Sequence, residues 1–103
     1  MAIDANSGDF VTLSAAQKYV ADFRSKYPGE IKGVFVGANK VQELLNQEDC
    51  IGVRIYFGYQ DEERRLNLVM VGVNSKGVDL TAAKIVERMV PCPSTCDITS
   101  ALY

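Results

Sequence analysis

The chain has 103 residues, 48% of them apolar and 23% charged, with a formal net charge of −2; this is the make-up of one folded domain and excludes a disordered chain. Thirteen acids stand against eleven bases with no run of one sign, so neither the basic stripe of a nucleic-acid binder nor the polybasic cluster of an anionic-lipid binder is present. No stretch nears the roughly 18 apolar residues of a membrane span, and MAIDANSGDF has neither the basic nor the apolar region of a signal peptide, so a cytoplasmic protein without membrane contact is expected.

Residues 1–11 are polar and read as a flexible arm. Residues 12–27 predict a helix: Leu13, Ala16, Val20, Phe23 and Tyr27 recur at steps of three and four, making one apolar stripe. Ser14 with Gln17 suits a capping box, and Thr12 is the alternative N-cap. Pro28-Gly29 ends the helix. Residues 31–36 (IKGVFV) read as a strand, and residues 39–47 as a short helix capped by Asn39, with Val41, Leu44 and Leu45 on one side.

Residues 51–59 alternate. Ile51, Val53, Ile55, Phe57 and Tyr59 share one face; Gly52, Arg54, Tyr56 and Gly58 share the other. Residues 60–64 form a charged turn, and residues 65–73 return as the second arm of an antiparallel hairpin. Asn74 to Gly77 is a turn by composition. Thr81 then caps a third helix over 82–90, with Ala82, Ile85, Val86 and Met89 as its stripe, stopped by Pro91 and Pro93. Residues 91–103 show no period and read as an irregular tail.

These elements predict one α+β domain spanning 1–103, in the order α-β-α-β-β-α. Helices pack on one face of a three-stranded sheet. The first strand lies beside either the last or the second. The return strand is apolar on both sides: Leu66, Leu68 and Met70 on one, Val69, Val71 and Val73 on the other. Three short helices leave one face open around Arg54, Tyr56, Val69 and Val71, unless the third helix or the tail covers it. An open apolar face is an association surface, and arginine beside tyrosine is the composition of an interface anchor.

The chain has no histidine. That removes Ser-His-Asp and Cys-His catalysis and every histidine-containing metal site. Of the three cysteines, Cys92 and Cys96 flank three residues in PCPSTC, which is not the two-residue gap of redox pairs or zinc knuckles. An odd count suggests reduced thiols. A metal site would need Cys50 and an acid such as Asp97 as further ligands; otherwise the cysteines are small buried apolar groups. GVFVGANK, residues 33–40, joins a strand to a helix start and could hold an anion, but it lacks phosphate-loop spacing and reads as a turn. The run DEERR, residues 61–65, is a solvated hairpin tip.

VRIYFG (53–58), LVMVGV (68–73) and PCPSTC together resemble a set of small uncharacterised bacterial proteins in which a similar hairpin precedes a PCP-x-x-C tail. The resemblance covers roughly the second half of the chain. It implies no catalytic residue, but it does imply that the cysteine motif recurs. The expected function is a non-enzymatic protein–protein interaction module that needs no cofactor, with self-association through a sheet face as one form of it. The alternative is a thiol or metal protein using Cys92, Cys96 and Cys50.

Overall fold

A computed structural model describes residues 2–103. In chain order the elements are α1 (Leu13–Lys26), β1 (Gly33–Phe35), α2 (Ala38–Leu45), β2 (Cys50–Gln60), β3 (Arg65–Asn74), β4 (Ile85–Val86) and β5 (Val90–Cys92). The protein is α+β. It divides into two compact units: Val36–Met89 with the N-terminal residues through Ser7, and Gly8–Phe35 with Val90–Tyr103. Among the described residues, no helix is long and apolar enough to cross a membrane.

The first unit is built on the alternating hairpin. β2 and β3 pair antiparallel from Cys50↔Asn74 to Gln60↔Arg65, with a bulge between Cys50 and Gly52. β4 lies along the other edge of β3, with Met70 opposite Val86 and Val71 opposite Ile85. The order is β2-β3-β4, antiparallel throughout, so β2 is an outer strand. Helix α2 approaches the sheet closely at Gly72. A Cβ there would stand 2.7 Å from Gln47 Nε2, 3.0 Å from Cys50 Sγ and 3.4 Å from the Leu44 carbonyl oxygen, so glycine lets helix and strand meet without displacing the Gln47 and Cys50 side chains. The contact seals Leu44, which is fully buried; Met70, Val71, Val73 and Met89 complete the core.

The second unit is lighter. Thr12, not Ser14, caps α1: its Oγ1 accepts from the Ala15 N–H at 3.2 Å. No residue of α1 is buried. β1 and β5 form a two-stranded antiparallel sheet, pairing Gly33 with Cys92, Val34 with Pro91 and Phe35 with Val90.

Several expectations are corrected. Residues 82–90 are not a helix. The segment turns at 81–83, pairs with β3 at Ile85 and Val86, and reaches a left-handed backbone at Arg88, φ 59°. A helix that short is marginal in isolation, and β-branched Ile85 and Val86 favour extended backbone. Pairing also satisfies amide and carbonyl groups along β3 that a helix would leave open. The third strand of the main sheet is therefore β4. The strand expected at 31–36 shortens to β1 and joins β5 instead, so it lies beside neither arm of the hairpin. α2 packs on the three-stranded sheet, while α1 belongs to the other unit. α2 starts after Gly37, not Asn39, with no side-chain cap. The tail is strand through Cys92 and then turns.

Candidate functional site

The hairpin register sets Arg54 opposite Val71 and Tyr56 opposite Val69, so the four residues expected to form an interaction surface share one face. The chain itself reaches this face. After the turn at Asn74–Gly77, Val73 bridges to Asp79, and the Leu80 N–H donates to the Gly72 carbonyl at 2.8 Å. The Asp79 carboxylate thereby accepts from both Arg54 Nη1 and Tyr56 Oη. The Tyr56 hydrogen bond, with Arg54 adding its own, holds the Asp79 carboxyl below its ordinary value against desolvation. The same contacts raise Tyr56 and Arg54 above theirs, the hydrogen bond to Asp79 being the largest cause in each. Val71 is buried, Val69 and Arg54 are half-buried, and Tyr56 is exposed.

The opposite face carries what sequence reasoning missed. Ile55, Phe57 and Tyr59 are 45%, 83% and 60% exposed. They stand across from Met70, Leu68 and Leu66. α2 meets the sheet at the other end, over Gly72 and its partner Val53. The alternation named this stripe correctly. Its exposure was hidden by the expectation that the helices pack on this main apolar face and leave the other one open.

Beyond the bulge at its start, β2 also has little of the usual protection of an outer strand. Over its eleven residues, CIGVRIYFGYQ, the one charged side chain is Arg54 and there is no proline. Lysines, prolines and inward charges are what normally keep such an edge from pairing with another strand.

The hairpin tip is more than solvated charge. Arg65 is 9% exposed; its Nε donates to Glu63 Oε2 at 2.5 Å and its Nη1 to the Leu66 carbonyl at 2.9 Å. A buried guanidinium held by a carboxylate and a carbonyl pins the turn to the strand it opens. At the start of α2, Lys40 pairs with Glu43 at 3.9 Å.

Cys92 and Cys96 are joined by a disulfide, with Cα atoms 4.8 Å apart, which corrects the expectation of reduced thiols. Cys50 is a free thiol in the first unit, donating to the Gly52 carbonyl at 3.2 Å across the bulge. Among the described residues no three His, Cys, Asp or Glu side chains are grouped to hold a metal ion. No protein-family model, curated protein or solved structure matches the chain.

Proposed function

We propose that the protein is a non-enzymatic interaction module that pairs with a second copy of itself through the outer edge of β2. The observation that carries this reading is the exposed row Ile55, Phe57 and Tyr59 on an outer strand with a single charged side chain and no proline. Antiparallel pairing of one edge with its own copy is self-complementary, which is what a two-fold interface requires. Arg54, the one charge on the strand, is neutralised within its own chain by Asp79, so two such edges meet without net repulsion at their centres. Burying one phenylalanine side chain contributes about 1.5–3 kcal/mol, enough for Phe57 to act as an anchor.

Light scattering after gel filtration tests the reading. Phe57→Asp should convert a dimer to a monomer while the thermal midpoint of the separated chain changes little, because Phe57 is largely exposed within its own chain. A wild-type protein that is monomeric at every concentration would contradict it.

A second reading, thiol–disulfide chemistry at Cys92 and Cys96, is supported by the bridge itself. In a cytoplasmic protein, the location the sequence leads us to expect, such a bridge is typically transient and redox-active. Thiol titration of the native protein across a series of redox buffers tests it: a bridge that opens reversibly near the cytoplasmic potential supports the reading, and one that never opens removes it.

A further inference from the structure

In the second unit the last residues fold back on α1. Gln17 Nε2 donates to the Ala101 carbonyl at 3.0 Å, and Arg24 Nη2 to the Leu102 carbonyl at 2.5 Å. The return leaves a pocket of about 250 Å³ whose wall includes Arg24 of α1, Lys32 just before β1, and Tyr103. Both cations lie against the same aromatic ring: Arg24 Cζ is 5.9 Å and Lys32 Nζ 4.3 Å from the Tyr103 ring centroid.

Two cations brought to one ring repel each other, and the repulsion grows as water is displaced. Among the described residues neither takes part in an ion pair. The one acidic side chain in the wall, Asp97, is engaged elsewhere. Its carboxylate accepts from the Thr99 N–H at 3.1 Å and the Thr99 hydroxyl at 2.6 Å. Those bonds, and not a neighbouring cation, hold its carboxyl below its ordinary value. The Arg24 Nε is buried and has no hydrogen-bond acceptor. A buried charged donor without an acceptor is costly, and native structures rarely leave one unless a further group completes it.

We propose that this pocket binds a small oxyanion, a phosphate or carboxylate group, between Arg24 and Lys32. Nη2 already donates to Leu102, and the remaining guanidinium hydrogens of Arg24 supply one charge to the ligand. The Lys32 ammonium supplies the second charge, and the Tyr103 ring is the wall against which both are held. An oxyanion there removes the repulsion between the two cations. The site is independent of the β2 edge.

Thermal unfolding in inorganic phosphate and, separately, in acetate tests this, with ionic strength held constant by chloride. A saturable rise in midpoint with at least one of the two anions is expected, because a ligand that binds only the folded chain raises its stability; which anion acts identifies the head group. Arg24→Gln should weaken the anion by at least about tenfold, the loss of one charge-assisted hydrogen bond. Lys32→Gln, at an exposed position where folding is not at stake, should weaken it in the same direction. A midpoint that follows ionic strength alone, or a saturable shift unaltered in both variants, would overturn the assignment.

Discussion

The two units are held together by different means. The first contains every buried apolar side chain among the described residues: Leu44, Met70, Val71, Val73 and Met89. The second contains none of them, and α1 buries no residue at all. Its ties are a disulfide between residues four apart, three backbone pairs between β1 and β5, and two side chains of α1 donating to the carbonyls of Ala101 and Leu102. Removing apolar surface from water scales with area, and a long hairpin supplies area. A segment with short strands and an exposed helix has little to bury and relies on covalent and polar ties.

The difference sets the order of expected effects. Leu44→Ala empties the one fully buried side chain of the first unit and should cost about 2–5 kcal/mol, read by urea unfolding. Amide exchange should accelerate across β2 and β3 first; equal acceleration over α1 would break the contrast. Replacing Cys92 and Cys96 with serine removes a small loop closure, for which the chain-entropy account gives about 2 kcal/mol. Faster exchange in β1 and β5, with β2 and β3 unchanged, is the expected pattern. An effect confined to the hairpin would reverse the assignment of what holds which unit.

Asp79→Asn should have the smallest effect, and its signature is pH dependence. The Asp79 carboxyl lies below its ordinary value of 3.8, so its contribution is present above that pH and fades as acid protonates the folded group. Tyr56 is raised above 10.0; its contribution is present below that value and is lost as alkali ionises it. Wild-type stability should therefore fall at both ends, while Asp79→Asn flattens the acid limb. Unfolding curves from pH 2 to 6 check the acid side; an unchanged acid limb would show that the cluster adds nothing to folding.

How far the sequence announced all this depends on the signal each element carries. The hairpin was legible because alternation over residues 51–59, a charged turn and an apolar return run over 65–73 have few alternative readings together. α1 was legible from its stripe and from Pro28-Gly29. β4, β5 and the shortened β1 were not, since strands of two or three residues are too brief to show a period, and Ile85-Val86 fits a helical stripe as well as a strand. The face shared by Arg54, Tyr56, Val69 and Val71 followed from alternation alone. Asp79 did not, because a single aspartate after a turn reveals nothing of the strand it will reach. The cysteine bridge was obscured by the odd count: Cys50 is the unpaired member, and chain order does not say so. The exposure of Ile55, Phe57 and Tyr59 depended on what failed to cover them, which is a property of the whole fold.

The claim that β2 pairs with its own copy is tested most directly by hydrogen exchange at the amides of residues 54–58, measured across a wide range of protein concentration. Edge-to-edge pairing predicts that those amides not bonded to β3 exchange more slowly as concentration rises, in step with the appearance of dimer mass, while amides in β3 hold constant. Exchange along β2 that is independent of concentration would contradict it.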